Sequence, residues 1–200
     1  MSGASGLAPG AHLRAQRGLY WHHGIYIGGD RVAQFGGRVK DKPHATIHAV
    51  NLDTFVDGDR VEVVDHTADQ RVLWIKMWHA DPLPVEQVVD RAAWLVSRPF
   101  PLAFYNLVGR NCEHVATWCA TGAAESLQSR RRFLPIGMAT LITTSALSRH
   151  PALLRRFAPP IVVATLLGWA LPITYQAAAR KLYEELNQYP GMGKWDRATS

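Results

Sequence analysis

Cysteine is scarce in this chain of 200 residues, which contains only Cys112 and Cys119. Seven positions separate the two, so on one helix they would lie roughly 10 Å apart along the axis. A disulfide requires Cα atoms within about 7 Å of each other. The sequence therefore argues against a disulfide-stabilised fold and predicts two free thiols, as is usual in a reducing compartment.

An apolar leader is missing as well. The first residues, MSGASGLAPGAHLRAQRG, lack the continuous hydrophobic segment of a secretory signal peptide. The expectation is a protein that is not secreted.

A basic stripe interleaved with aromatic residues is also absent, although the formal net charge is +6. The basic residues are scattered apart from two short clusters, 130–132 and 155–156. This argues against a nucleic-acid partner and favours an anionic membrane surface. The sequence also shows no set of three or four residues spaced to bind one metal ion. His44 and His48 have helical spacing but no carboxylate at a useful distance. We expect no metal and no cofactor.

The segment YWHHGIYIGGDRVAQF, residues 20–35, predicts a β-hairpin. One face of the first strand carries Tyr20, His22, Gly24 and Tyr26, and the other carries Trp21, His23, Ile25 and Ile27. The residues 28–30, Gly-Gly-Asp, supply the positive φ angles of a tight turn.

Two registers of this hairpin remain open. A two-residue turn places Gln34 beside Ile25, on the face of His23. A three-residue loop places Gln34 opposite Tyr26, on the face of His22. Turn chemistry alone does not distinguish them.

The rest of the chain allows a coarse assignment. The prediction is an irregular segment at 36–50, a strand at 59–66, an ambiguous stretch at 67–83, a helix at 84–97, and a second helix that starts at Cys112 and ends at Gly122.

Cys112 follows Asn111, a residue that commonly caps a helix N-terminus. A thiol in the first helical turn is favoured as the thiolate, which is the nucleophilic form. The N–H groups there can also stabilise an oxyanion, and Asn111 is a further candidate for this role. A nucleophilic thiol needs a base, and the imidazoles are concentrated in the hairpin. Gln34, on the neighbouring strand, is the candidate for orienting an imidazole.

Composition changes after Arg132, since residues 133–148 and 157–179 carry no charge. As a helix, the second run would measure about 35 Å, enough for a hydrocarbon core of about 30 Å. The sequence predicts a catalytic domain at 9–132, one or more hydrophobic helical segments, interpreted as a membrane anchor, at 133–179, and a polar tail at 180–200. A buried helical hairpin and an interfacial helix are the alternatives for the hydrophobic run. The predicted protein is membrane-associated, with its catalytic domain and the arginine cluster on the cytosolic side.

HHGIYIGGDRVAQF together with NCEHVATWCATG resembles the lecithin:retinol acyltransferase (LRAT-like) family, over roughly residues 9–130. The resemblance implies an α+β fold, a circularly permuted relative of the papain-like NlpC-type enzymes, with a small antiparallel sheet packed on helices. It implies Cys112 as nucleophile and His22 as general base and acid. Gln34 takes the position usually held by a second histidine. His23 and Tyr26 become packing or pocket residues.

The resemblance further implies acyl transfer or phospholipase A-type hydrolysis of glycerophospholipids through a thioester. Val115 and Ala11 depart from the family pattern, which has an aromatic residue and an aspartate there. Two other classes remain open: an NlpC-type amidase or peptidase, and a non-catalytic membrane-interaction protein. Acyl chain, acceptor and oligomeric state are not set by the sequence. Cys119, Glu113 and His114 are interpreted as structural.

Overall fold

The computed structural model describes residues 6–36, 45–68, 71–72, 75–76, 80–97 and 111–149, together with 184, 186, 188 and 189. Within these ranges the chain forms seven strands and four helices. The strands are β1 (His12–Arg17), β2 (Tyr20–Gly28), β3 (Arg31–Phe35), β4 (Ile47–Asn51), β5 (Val61–Val63), β6 (Arg71–Val72) and β7 (Ile75–Lys76). The helices are α1 (Leu52–Val56), α2 (Val85–Ser97), α3 (Cys112–Thr121) and α4 (Leu127–Ser148).

Five of the strands form one antiparallel sheet in the order β4-β3-β2-β1-β5, and β6 pairs with β7. Helices α2 and α3 pack against β2 and β3, while α1 contacts β3 and β4. The predicted α+β class, with a small antiparallel sheet packed on helices, is confirmed. The papain-like permutation and the C-terminal hydrophobic extension remain predictions.

The turn between β2 and β3 consists of two residues. Gly28 pairs with Arg31, so only Gly29 and Asp30 lie between the strands. Their φ angles of 57° and 60° are both positive, as a tight hairpin turn that matches the twist of its strands requires.

An irregularity in β2 changes the register beyond this turn. Tyr26 pairs with Val32, and Gly24 pairs with Gln34, so one extra residue of β2 lies between the turn and these pairs. Neither predicted pairing of Gln34 occurs. The bulge nevertheless places Gln34 on the face of His22, because paired residues of antiparallel strands point to the same side.

Two apolar cores flank the sheet. The first lies between the sheet and the helices α2 and α3; its largest members are Trp118, Phe35, Ile25, Leu95 and Leu186. The second lies between the opposite face and α1; it is formed by Leu13, Ala15, Tyr26, Val32, Leu52 and Phe55. Strand β2 contributes to both, since its alternating side chains reach both faces.

Some local predictions were correct and others were wrong. Helix α2 has the predicted extent within one residue, and α3 ends at Gly122 as predicted, with a φ of 82°. Residues 36–50 are not wholly irregular, because Ile47–Asn51 forms β4, and the strand predicted at 59–66 covers only Val61–Val63. Strand β4 is short and defined by its pairing with β3, a contact that local pattern does not reveal.

Helix α4 starts at Leu127 and continues to Ser148, across the predicted boundary at 132–133. Among the described residues, no helix combines the length and the apolarity that crossing a bilayer demands. The second uncharged run, 157–179, lies outside the described residues. The three-part division of the chain stays a prediction.

Two residues of the predicted polar tail belong to the first core. Leu186 is fully buried there. The ring of Tyr189 lies 5.2 Å from that of Trp94 and 5.9 Å from that of Trp118, edge-on in both cases. Leu186 and Tyr189 therefore pack in the same core as helices α2 and α3.

Candidate active site

Helix α3 begins with a complete capping box. The side-chain oxygen of Asn111 accepts hydrogen bonds from the N–H groups of Glu113, at 3.0 Å, and His114, at 3.2 Å. His114 Nδ1 accepts the N–H of Asn111 in return, at 3.4 Å. This reciprocal arrangement fixes the helix start. Cys112 is therefore the first helical residue, as predicted.

Cys112 is almost completely buried where α3 meets β2. Its Sγ lies 3.9 Å from the main-chain oxygen of Trp21, the residue that precedes His22. The helix N-terminus favours the thiolate form of such a cysteine. The structure thus places a nucleophile-type thiol against the strand that carries the predicted base.

His22 and Gln34 are in direct contact. His22 Nε2 lies 2.7 Å from Gln34 Oε1, and both side chains are buried. The other ring nitrogen, Nδ1, is buried and has no hydrogen-bond partner within the described part of the chain. The His22 ring packs against Phe55, with centroids 5.4 Å apart. The site therefore contains an imidazole held at one nitrogen and unoccupied at the other.

Tyr20 also belongs to this region, although sequence reasoning did not assign it a role. Burial and the neighbouring Cys112 both raise the pKa of the Tyr20 hydroxyl. Tyr20 lies two residues before His22 and so points to the same side of β2. The alternation of side chains along the predicted strand was the one sequence signal that could have identified Tyr20 as a residue of the site.

The Asn111 amide is fully engaged in joining α3 to α4. Besides its two capping bonds, Nδ2 donates to Ser129 Oγ at 3.0 Å and to Ser126 Oγ at 3.4 Å. The structure thus gives this side chain a structural position. Its predicted contribution to an oxyanion site stays a prediction.

Glu113 caps the next helix. Its carboxylate accepts the N–H groups of Leu127, at 3.1 Å, and Gln128, at 3.0 Å, and the hydroxyl of Ser126. Burial raises the pKa of Glu113 against the opposing effect of these donors. The contacts agree with the structural role predicted for this residue.

His23 points to the helix side of the sheet and takes part in a chain of imidazoles that the sequence did not reveal. Its Nδ1 lies 2.9 Å from His12 Nε2, and His12 Nδ1 lies 2.9 Å from His66 Nε2. Burial lowers the pKa of His12 and of His23 well below the usual value. Both rings are therefore neutral near pH 7.

A small cavity adjoins the thiol. Cys112, His23 and Gln34 line it, and the remaining wall is mostly apolar, from the sheet, α2 and α3. Its volume of about 10 Å³ is close to the least that admits one water molecule. The cavity has no room for an acyl chain.

The remaining candidates have structural surroundings. Cys119 is buried, which raises the pKa of its thiol to about 12, and both cysteines are free thiols as predicted. Tyr26 is buried in the second core, and its hydroxyl accepts the N–H of Asp30 at 3.4 Å. In the described part of the chain, no three His, Cys, Asp or Glu side chains are arranged to bind a metal ion.

A capped helix that begins with a buried thiol, beside a strand with a buried imidazole, is an arrangement found in cysteine-dependent enzymes. The family model described as lecithin retinol acyltransferase matches residues 5–125. The chain therefore belongs to this family, and the resemblance found in the sequence is confirmed. A comparison with curated proteins finds no match. Membership associates the chain with thiol-dependent acyltransferase chemistry in general.

Proposed function

We propose that the protein transfers or hydrolyses the acyl groups of glycerophospholipids through a thioester on Cys112. His22 acts as general base and acid, and Gln34 orients it. The observation that carries the proposal is the unoccupied Nδ1 of His22, on the strand that Cys112 contacts. Catalytic hydrogen bonds are often long before substrate binds, and the proposal requires that substrate binding brings the thiol to this nitrogen.

The reaction begins when His22 Nδ1 takes the thiol proton and the Cys112 sulfur attacks the acyl carbonyl carbon. The tetrahedral intermediate collapses as the ester C–O bond breaks, and His22 returns its proton to the leaving oxygen. A thioester and a lysolipid result. His22 Nδ1 then removes a proton from water or from an acceptor, whose attack releases the acyl group and restores the thiol.

Gln34 supports both steps through one hydrogen bond. Its Oε1 accepts the Nε2–H of His22, which leaves Nδ1 as the basic nitrogen in the neutral ring. A glutamine supplies no charge, so it orients the imidazolium without the added Coulombic stabilisation of a carboxylate.

The acyl chain extends away from the protein core in this proposal. The cavity beside Cys112 has room for one water molecule, which suits the hydrolytic step but not the burial of a lipid tail. A long acyl chain therefore remains in the lipid phase while its carbonyl reaches the thiol. This arrangement favours a substrate presented at a membrane surface.

We further propose that residues 157–179 bring the catalytic domain to that surface from the cytosolic side. Leu186 and Tyr189 pack in the same domain as Cys112, so both flanks of the hydrophobic run lie on one side of the membrane. In microsomes, a C-terminal tag and the catalytic domain should show the same sensitivity to added protease. Opposite sensitivities would contradict this topology.

Membrane binding itself is tested by flotation of the full chain with vesicles of phosphatidylcholine and phosphatidylserine. We expect the protein to float and the double change Leu166→Glu, Leu167→Glu to abolish flotation. Val63→Glu changes an exposed residue of β5 and serves as the matched control. A full chain that stays at the bottom of the gradient would contradict membrane association.

The central experiment is intact-protein mass spectrometry of the full chain after incubation with phosphatidylcholine vesicles. We expect an acyl-sized mass gain that hydroxylamine removes. The gain should be absent from Cys112→Ala and His22→Ala and retained in Cys119→Ala, because the Cys119 thiol is buried and protonated. If neither an adduct nor free fatty acid forms, the lipid proposal is wrong. Cleavage of peptide amides instead would support an amidase.

A further inference from the structure

We propose that His48 is a positioning residue, which fixes the tautomer of His22 by holding the Gln34 amide in one orientation. The inference rests on the proposed role of His22 as base and extends it. His48 lies on β4, directly opposite Gln34 on β3. Neither the sequence pattern nor the family match assigns it a function.

Three successive hydrogen bonds connect His22 to the protein main chain. His22 Nε2 lies 2.7 Å from Gln34 Oε1, and Gln34 Nε2 lies 3.1 Å from His48 Nε2. His48 Nδ1 lies 3.1 Å from the main-chain oxygen of Thr46. The chain of contacts spans the strands β2, β3 and β4, and each ring nitrogen in it except His22 Nδ1 has a partner.

The main-chain oxygen of Thr46 determines which atom donates and which accepts in each of these hydrogen bonds. A main-chain oxygen only accepts, so His48 Nδ1 carries a proton, and Nε2 of the neutral ring is an acceptor. The amide atom that faces His48 must then be the donating NH₂ group of Gln34. The amide oxygen consequently faces His22 and accepts its Nε2–H.

With donors and acceptors in this order, the proton of the neutral His22 ring is on Nε2 and the free lone pair is on Nδ1. That atom is buried and has no hydrogen-bond partner among the described residues, so it is the nitrogen ready to accept a thiol proton. His22 and Gln34 are both more than nine-tenths buried. His48 is half-buried and supplies the acceptor at the outer end of this buried pair.

The orientation of an amide depends on a fixed hydrogen-bond partner, whereas an ionised carboxylate accepts hydrogen bonds through either oxygen. Glutamine presents a donor on one side and an acceptor on the other, so a rotation of 180° would turn its NH₂ group towards His22. Nε2 of His22 would then become the acceptor and Nδ1 the protonated nitrogen, which abolishes the base. His48 makes the rotated amide unfavourable, because two acceptors or two donors would face each other.

The test measures acetylation of Cys112 by p-nitrophenyl acetate in the full-length protein, with the modified cysteine identified by peptide mass spectrometry. Cys119 is an internal control. His48→Ala should slow acetylation of Cys112 about 10- to 100-fold, the loss typical when the hydrogen-bonding partner of a metal-bound histidine is removed. His48→Gln keeps an uncharged acceptor and should recover most of the rate.

The double variant separates positioning from structural damage. If His48 acts through Gln34, then His48→Ala should add no further loss in a Gln34→Ala background, and urea unfolding of His48→Ala should match that of the parent. A rate within twofold of the parent in His48→Ala, or an equal additional loss in the Gln34→Ala background, would overturn the inference.

Three outcomes distinguish this inference from the proposed function. If Cys112 is acetylated and depends on His22 and Gln34 but not on His48, the positioning role alone is wrong. If His22→Ala is acetylated as fast as the parent, the proposed base is wrong and the role of His48 fails with it. Acetylation that requires all four residues, without reaction with vesicles, would support His48 and contradict only the lipid substrate.

Discussion

Burial keeps three histidines neutral in the folded chain. It lowers the pKa of His12 and His23 well below the usual value and that of His114 to about 3. In the unfolded chain, each would bind a proton below about pH 6.5. Since the unfolded state then binds more protons than the folded state, acid favours unfolding, and stability is fully present only above this pH.

We expect the free energy of unfolding to fall by up to about 4 kcal/mol between pH 7.5 and 5.5, about 1.4 kcal/mol for each histidine. Urea unfolding at the two pH values measures this loss. In His114→Gln one titration is removed, so the loss between the two pH values should be about 1.4 kcal/mol smaller, whatever the variant's stability at pH 7.5. A stability that does not change with pH would contradict the explanation.

Residues of the proposed site differ in how far sequence could identify them. Asn111 and Cys112 were predictable, because a capping residue and the helix start are neighbours in the chain. The contact between His22 and Gln34 needed the bulge in β2, which no turn rule supplies. His48 became part of the site only through the pairing of β3 with β4. The functional roles remain predictions at this scale.

Strand β2 is closely surrounded at Gly24. A Cβ atom at Gly24 would lie 2.7 Å from Val32 Cγ1 and 2.9 Å from both the Ala33 oxygen and Phe55 Cε2. Such distances require a neighbour to move. Only glycine lets Phe55 pack this closely against the strand, beside the ring of His22.

We therefore expect Gly24→Ala to destabilise the protein by about 1–3 kcal/mol, the usual cost of overpacking. Urea unfolding provides the measurement. Gly6→Ala is the control, since a Cβ atom there meets nothing within 4 Å and the position lacks a positive φ. Equal midpoints for the two variants would show that β2 accommodates the added methyl group.

At the level of elements, amphipathic spacing and capping residues predicted α2 and α3 because both signals are local. Strands β1 and β4 and the short helix α1 were not predicted. Their sequences are brief, and pairing with neighbouring strands or packing on the sheet defines them. The helix that spans residue 132 shows the same limit, since a change of composition does not end a helix.

At the scale of the whole molecule, residues far from the site in sequence complete the first hydrophobic core. Leu186 is completely buried among residues of α2 and α3. Arg91 stacks on the Trp118 ring at 4.7 Å and lies 5.7 Å from that of Tyr189. Leu186 and Tyr189 thus complete the core beneath helix α3. Variants of the proposed site should accordingly be studied in the full chain.

Leu186→Ala should lower the free energy of unfolding by about 2–5 kcal/mol, because it leaves a cavity in a packed core. Leu19→Ala is the matched control: Leu19 is 98% exposed, so its truncation should change stability by less than about 0.5 kcal/mol. Chemical unfolding of both variants measures the two changes in the free energy of unfolding. Similar values for the two would mean that the C-terminal segment contributes little to the core.

By itself, the sequence determined the α+β class, the family, the free thiols, the capped helix that begins at Cys112 and the hairpin with its two adjacent histidines. The first two follow from the family resemblance, and the others depend on signals within a short stretch, where backbone preferences and side-chain alternation act directly. Only the tertiary structure decided which imidazole meets Gln34, that His48 completes the chain of hydrogen bonds, and that Leu186 and Tyr189 join the core. Those contacts join residues distant along the chain, and strand register and packing between elements create them.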